Sequence, residues 1–439
     1  MSLLAGVRNV NRPHIVAFYC INYGSEHPPC PLIVYEIILS AMPALIGHVD
    51  ADCYYVSCER VRHSHFQNLP LAVLGNWGAC VIAKSYELKA KGVKTGMPIW
   101  DAGPLCPHAV FLKRDFEWYE ALSRRMFDAI KLASPLVEYY SIDEMFFDAN
   151  RVDPSALQEQ IQVAVGVPVT VGISRTRTLA KLVSDEAKPH GCRVIVNESD
   201  ISVLLASLPV DSITGIANRS AQKLAGWGIQ TCKDFAAADR RLIRRLLTKR
   251  GEDLWWEING TPVVPIHAAR LPHKAIGRGG SVGKATDDPA RCTAWVIRNV
   301  ERLIEAIDIH QVYCDRLTLE LDFQDGSRSG GCLNLPCSTA DFHLIAATAL
   351  DLWVRHWRGQ PLSYMQVIAD GLSTRQHVQL SLFNRPSSKE RVVADAKRRI
   401  NEAMGRFVLR SGATLPLLDV YGDEANSYDI CDVQGKTCF

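Results

Sequence analysis

Residues 137–148 put two adjacent carboxylates inside an apolar, β-prone run: Val137-Glu138-Tyr139-Tyr140-Ser141-Ile142-Asp143-Glu144-Met145-Phe146-Phe147-Asp148. An ionised carboxylate buried without a partner is costly or shifts its pKa. A metal ion, a basic partner or a strand end open to water would each resolve the conflict. A second acidic element, His48-Val49-Asp50-Ala51-Asp52-Cys53-Tyr54-Tyr55, lies upstream on another strand-like run. Carboxylates on strand ends far apart in sequence are how a fold assembles a two-Mg²⁺ site for phosphoryl transfer.

The elements that must position these groups follow from pattern. Residues 44–49 read as a buried strand ending at Asp50, and 54–61 have helical spacing. A strand is predicted at 69–74, then a Gly-rich turn, a short strand at 80–83, and a helix over 84–91 stopped by Gly92. Residues 117–132 form a strongly amphipathic helix that ends at Ser134-Pro135, just before the Asp143-Glu144 hairpin. A β-rich run covers 163–173 and a helix 178–187. Residues 213–236 have the form of a helix-hairpin-helix, whose exposed N–H groups at a helix N-terminus suit a DNA phosphate. A Pro-, His- and Gly-rich stretch at 262–280 reads as a linker. Beyond it, a helix at 294–307, a strand at 317–323, a turn at 325–327 and a helix at 342–357 make a separate small α+β domain.

Composition bounds the answer without deciding it. A chain of 439 residues with 47% hydrophobic and 22% charged residues is an ordinary globular protein of several domains. The net charge of +2 neither demands nor excludes nucleic acid. Basic residues are clustered, at Arg240, Arg241, Arg244, Arg245, Lys249 and Arg250, and again at Lys397, Arg398, Arg399, Arg406 and Arg410. Each cluster taken alone reads as a solvated helix face. The 14 cysteines include no CxxC pair, and several sit in apolar runs, so reduced thiols in a cytoplasm are expected. Cys431 and Cys438 are not read as a metal site. No apolar run reaches the roughly 18 residues of a membrane-spanning helix, and no membrane partner is expected. Residues 1–44 lack an element pattern and are expected to be a disordered extension.

With these elements in place, the chain resembles the Y-family translesion DNA polymerases of bacteria, of polymerase IV and polymerase V type. Residues 48–59 are similar to the family's first acidic motif and Tyr140-Ser141-Ile142-Asp143-Glu144 to its second. Val171-Gly172-Ile173-Ser174, Thr178-Leu179-Ala180-Lys181-Leu182 and Ala187-Lys188-Pro189-His190-Gly191 resemble the third, and residues 78–98 the fingers. The resemblance implies an α+β multidomain right hand. It has a mixed-sheet palm (45–61 and 116–205), small fingers (62–115) and a helical, helix-hairpin-helix thumb (206–265). A linker (266–276), an α+β little finger (277–378) and a C-terminal extension (384–439) complete it.

The resemblance also implies roles. Asp50, Asp143 and Glu144, with the backbone carbonyl of Ala51, would hold two Mg²⁺ ions and carry the catalysis. Tyr55 matches the steric gate against a ribose 2′-hydroxyl, and Tyr54 the aromatic beside it; both are expected at the nucleotide. Tyr86, Lys89 and Lys181 match positions that contact the incoming dNTP. The family often has Arg where Lys89 stands, which costs the bidentate fork. Met145 stands where a small residue is usual. Asp52 is not a family ligand, and a structural or solvated role is expected for it. Gln379-Leu380-Ser381-Leu382-Phe383 closely resembles the peptide with which bacterial polymerases dock on the β sliding clamp, with Leu382 and Phe383 as apolar anchors.

The expected partners are therefore primer-template DNA, dNTPs and the clamp, in a bacterial cytoplasm at the nucleoid. Dependence on an accessory subunit or a recombinase filament is left open. The expected function is error-prone translesion synthesis in damage tolerance. A non-catalytic DNA- and clamp-binding scaffold of the same fold is the alternative, but such members lose the carboxylates that are present here. A palm-domain nucleotide cyclase would explain the carboxylates but leaves the helix-hairpin-helix, little finger and clamp motif without a purpose.

Overall fold

The computed structural model describes residues 45–75, 80–269, 273–374 and 388–421, with two short strands at 430–431 and 437–438. Strand β1 (Ile46–Ala51) leads into helix α1 (Tyr54–Arg62). Three short strands follow, β2 (Leu71–Leu74), β3 (Val81–Lys84) and β4 (Val110–Lys113), with helices α2 (Tyr86–Ala90) and α3 (Ile99–Leu105) between the last two. Helix α4 (Phe116–Ala133) then leads to the hairpin of β5 (Val137–Tyr139) and β6 (Glu144–Asp148). Helix α5 (Pro154–Val165), strand β7 (Val169–Ser174), helix α6 (Arg177–Ala187) and strand β8 (Cys192–Val194) complete this part.

Strands β5-β6-β1-β7-β8 form one mixed sheet with β1 at its centre, antiparallel to both neighbours. All six residues of β1 are buried, His48 and Asp50 included. On one face, Val49, Met145, Phe147 and Val171 pack with Leu122, Met126 and Ile130 of α4 and Leu157 and Ile161 of α5. On the other, Ile46 and Phe146 meet Ala180 of α6. Helix α4 starts at an Asp115 cap that accepts from the Trp118 N–H, and α6 at a Thr176 cap that accepts from the Leu179 N–H. The run 163–173 is not one strand. Residues 163–165 end α5, and Gly166, in the left-handed conformation at φ 76°, stops it before Pro168. Strands β3-β2-β4 make a separate small sheet, the fingers, with its own core around Leu74, Leu88 and Ala102.

The next unit is helical: α7 (Glu198–Ser207), α8 (Asn218–Ala225), α9 (Cys232–Ala237) and α10 (Arg240–Ile258). The helix-hairpin-helix is formed by α8 and α9, and Gly215 at its leading turn takes φ 104°, open to glycine. Leu204 and Leu205 of α7 share one core with Leu224, Phe235 and Ile243. The same core takes in Leu179, Leu182 and Val183 of α6, so it runs across the expected boundary at 206. Helix α10 breaks at Thr248, whose φ is 64°. Its basic cluster is partly neutralised: Arg240 and Arg244 both reach the buried Glu252, at 2.5 and 2.6 Å, and Lys249 pairs with Asp253.

Two carboxylates, Glu257 buried and Glu138 partly buried, fasten the thumb and the chain beyond it to the palm. Glu257 accepts from the N–H groups of Thr178, Val263 and Val264 at 2.9–3.1 Å. Glu138 pairs with Arg177 and accepts from the His267 N–H at 2.7 Å. The expected linker of 266–276 is thus pinned at its first residues. It also ends early, because β9 (Ala275–Thr286) is a strand despite its glycines.

Strand β9 opens the little finger, with α11 (Pro289–Ile309), β10 (Val312–Phe323), β11 (Arg328–Thr339), α12 (Phe342–His356), β12 (Leu362–Asp370) and β13 (Ser373–Thr374). The order β11-β10-β12-β9 is antiparallel throughout, and α11 and α12 share its core with Leu317, Leu319, Leu321 and Val367. The extension does not stand apart from it. Helix α13 (Ser388–Met404), a 3₁₀ turn at Gly412–Leu417 and α14 (Leu418–Tyr421) fold back on α11. Glu301, buried on α11, accepts from Lys397 at 2.5 Å and from the Ser411 N–H at 2.8 Å. Arg291 pairs with Asp419 at 2.7 Å, and Leu417 and Val420 enter the little-finger core. Leu417→Ala should therefore destabilise the little finger by about 2–5 kcal/mol. Thermal unfolding checks this, and an unchanged midpoint would mean that the segment does not pack there.

Candidate active site

Asp50 and Glu144 face each other across neighbouring strands, as register partners of β1 and β6. Asp143 precedes β6 in the hairpin turn, and its carbonyl accepts from the Ala51 N–H at 2.9 Å. Asp50 and the adjacent pair Asp143 and Glu144, more than 90 positions apart in sequence, are thus brought together by one antiparallel pairing. Ser141 holds Asp143 with a 2.5 Å hydrogen bond to Oδ1.

Two lysines lie among them. Lys188 Nζ is 2.6 Å from Asp50 Oδ2, and Lys181 Nζ is 2.9 Å from Glu144 Oε1 and 3.9 Å from Asp50 Oδ2. Asp185 approaches both ammonium groups, at 3.6 and 3.2 Å. Burial pushes Asp50 up to about 7, more than Lys188 offsets, and the charge of Glu144 adds to the rise. Burial likewise raises Asp143. For Glu144 burial acts the same way but is outweighed by His48 and Lys181, which hold it well below the carboxylate range. Burial lowers His48, against the opposing pull of Glu144. Lys188 stays charged, because Asp50 outweighs its own burial.

The donor set is one of hard oxygens, which suits Mg²⁺. Among the described residues no three His, Cys, Asp or Glu side chains converge tightly enough to cage an ion by themselves. The reason is visible: Asp50 and Glu144 are turned onto the lysines. A divalent cation would compete with those ammonium groups for the same oxygens. One orphaned atom points the same way, His48 Nε2, which is buried without a hydrogen-bond partner beside Glu144.

The remaining sequence-derived positions divide. Tyr55 is half-buried and stacks on Tyr119 at 4.7 Å and 18°, with Phe116 at 5.7 Å, so its ring is stiffly held. Tyr54 corrects the expectation for its side chain. It is 4% exposed within the palm core and its hydroxyl donates to the Tyr119 carbonyl at 2.6 Å. Only the Tyr54 backbone is left for a nucleotide. Tyr86 donates to Asp52 Oδ1 at 2.9 Å, and Lys89 is exposed with its Nζ 5.9 Å from the Tyr86 ring centre. Asp52 also accepts from Thr170 at 3.0 Å and from the His190 N–H at 2.8 Å, so it is a buried structural carboxylate, as expected. Helix α1 begins at Cys53, in the left-handed region at φ 47°, with no side-chain cap and no acid in its first turn. Its amide end is therefore suited to an anion. Residues 379–383 lie outside the described residues.

Sequence reasoning assigned no role to Lys188 or His48. Both had a signal: Lys188 stands in the quoted Ala187–Gly191 motif, and His48 shares the strand face of Asp50 by alternation. Neither signal says which carboxylate the side chain meets.

Residues 49–185 match the impB/mucB/samB family, and residues 273–382 match the C-terminal domain of that family. The chain is 30% identical over 365 residues to a DNA polymerase IV of Oceanobacillus iheyensis, covering 77% of this chain and 84% of that one. It is 28% identical over 386 residues to DNA polymerase IV 1 of Bacillus subtilis, covering 84% and 93%. Protein ImpB of Salmonella typhimurium is 29% identical over 331 residues, covering 70% and 78%. Among solved structures, a Y-family DNA polymerase chimera has the same fold, with a TM-score of 0.64 at 23% identity over 75% of this chain and all of that one.

Proposed function

This chain belongs to the impB/mucB/samB family and is a Y-family DNA polymerase, and we propose how its palm carries out the reaction. The function is template-directed DNA synthesis, including synthesis past damaged bases, with dNTPs added to a primer 3′-hydroxyl. The observation that carries the assignment of residues is the pairing of Asp50 with Glu144 next to Asp143. Asp50, Asp143 and Glu144, with the Ala51 carbonyl, would hold two Mg²⁺ ions. When bound, these ions supply Lewis-acid activation of the 3′-hydroxyl and neutralise triphosphate charge.

The chain's own groups do the rest. Lys188, which Asp185 also holds at 3.2 Å, would bind phosphate oxygens where it no longer neutralises Asp50, as would Lys181 and the exposed Lys89. The uncapped N-terminus of α1 presents backbone N–H groups to the same anion. Tyr55 sits one residue inside that helix, and its ring, clamped against Tyr119, supplies a rigid floor that a 2′-hydroxyl would strike. A soft ring would yield; a stacked one does not. In the thumb, the turn at Gly215 offers backbone N–H groups to a DNA phosphate. The scaffold alternative loses its footing on the three carboxylates, which a non-catalytic relative has no use for. Gln379-Leu380-Ser381-Leu382-Phe383 is proposed as the sliding-clamp peptide on its sequence alone.

Three outcomes test this reading. Asp143→Ala should abolish Mg²⁺-dependent primer extension while primer-template binding, measured by fluorescence anisotropy, stays close to wild type; retained extension would sink the carboxylate assignment. Tyr55→Ala should raise the ratio of ribonucleotide to deoxyribonucleotide insertion at least tenfold, since a steric exclusion of about 1.4 kcal/mol or more is removed. An unchanged ratio counts against the gate. Replacing Leu382 and Phe383 by Ala should remove stimulation of synthesis by the clamp and spare basal synthesis, whereas equal loss of both would mean that the segment is structural.

A further inference from the structure

His48 is fully buried on β1, two residues before Asp50, and it is not explained by packing alone. Its ring touches Phe146, at 4.6 Å between centroids, which any apolar ring could do. Its nitrogens are placed differently. Nδ1 is 2.7 Å from Ser184 Oγ on α6. Nε2 has no hydrogen-bond partner and stands 3.7 Å from Glu144 Oε2. Buried polar atoms without partners are rare in native proteins and call for an explanation. Here the nearest polar atom is the one oxygen of Glu144 that Lys181 does not hold.

The Ser184 hydroxyl decides what Nε2 can do. It lies 2.8 Å from the Lys181 carbonyl as well as 2.7 Å from Nδ1, and it has a single proton. With that proton on the carbonyl, Nδ1 must be the N–H of the neutral ring, and Nε2 turns a lone pair toward a carboxylate. With the proton on Nδ1, Nε2 carries the hydrogen and turns it toward Glu144 Oε2, 3.7 Å away. The Lys181 carbonyl lies within α6 and has the helix ladder to satisfy it, so the second arrangement aims no lone pair at the carboxylate. We infer that Ser184, His48 and Glu144 form a relay in which Ser184 fixes the imidazole tautomer and His48 orients the Glu144 carboxylate for a divalent cation. The inference rests on the reading of Glu144 as a ligand, and it makes His48 and Ser184 positioning residues.

The backbone is built to allow it. Gly172 is the cross-strand partner of His48 on β7. A Cβ at Gly172 would lie 2.4 Å from the Ser184 N and 2.5 Å from the Ala180 carbonyl oxygen. Only a glycine lets α6 come close enough for Ser184 to reach the ring. Partners of this kind hold metal-binding carboxylates in one orientation, and their loss typically weakens metal affinity by 10–100-fold.

The test is a titration of the full chain with Mn²⁺ alone, with free Mn²⁺ followed by electron paramagnetic resonance, for wild type, Glu144→Gln, His48→Gln, His48→Leu and Ser184→Ala. Glu144→Gln separates the two readings: if it binds Mn²⁺ like wild type, the reading of Glu144 as a ligand is itself wrong. Given loss in that variant, His48→Leu should weaken binding by about 10–100-fold and His48→Gln, which keeps an N–H near the position of Nε2, should recover most of it, with Ser184→Ala between them. Wild-type affinity in His48→Leu or Ser184→Ala would overturn the relay, and so would equal loss in His48→Gln and His48→Leu. Thermal unfolding identifies a variant that fails to fold; should His48→Leu do so, Ser184→Ala against wild type decides.

Discussion

Everything at the centre of this molecule answers to buried negative charge on two adjacent strands. Asp50 is only 3% exposed, with Glu144 as its cross-strand partner and Asp143 in the adjoining turn. Carboxylates that close and that sheltered repel one another strongly, because the interior screens charge poorly. The fold supplies the compensation from one element, α6 and the turn after it, through Lys181 and Lys188. That requires α6 to lie flat on β1 and β7, which in turn requires Gly172 to have no side chain. The same constraint leaves the site poised, since an ammonium holding a carboxylate marks a place where a divalent cation and a phosphate can exchange partners.

The palm separates working carboxylates from structural ones by how completely each is satisfied. Asp52, two residues from Asp50, receives hydrogen bonds from Tyr86, Thr170 and the His190 amide, and has little capacity left for an ion. Glu138 and Glu257 follow the same rule at the joints of the chain, and Glu301 does so through Oε1 alone, its Oε2 having no hydrogen-bond partner. Each accepts from backbone N–H, and Glu138 and Glu301 pair with a basic side chain as well. A carboxylate held in this way is a fastener. These joints fix where the thumb meets the palm and where the C-terminal segment meets the little finger.

Much of this was legible in the chain and some was not, for reasons that differ by residue. Strand β1 and helix α4 were readable because burial on one or both faces imposes a local pattern. Strand β9 was not, because its glycines suppress β propensity, and its place is set by pairing with β12 rather than by its own side chains. The run 163–173 misled because Val163 and Val165 carry strand propensity at the end of a helix that α4 packing stabilises. Composition and spacing could not tell Tyr54 from Tyr55; only the family resemblance set the gate at Tyr55. A helix sends consecutive side chains about 100° apart, so one tyrosine enters the core and the other does not.

By itself the sequence marked the groups proposed for the chemistry, because acidic residues interrupting apolar strands have few physical excuses, and it also determined the family through the order of its motifs. Only the tertiary structure decided how those groups are matched. Lys188 with Asp50, Lys181 and His48 with Glu144, and Ser184 with His48 are contacts between β1, β6 and α6, which lie up to 138 positions apart. Sequence specifies a residue's chemistry and its local direction; the partner depends on the register of the sheet and on how closely a helix can approach it. Those are properties of the packed chain, and no single segment contains them.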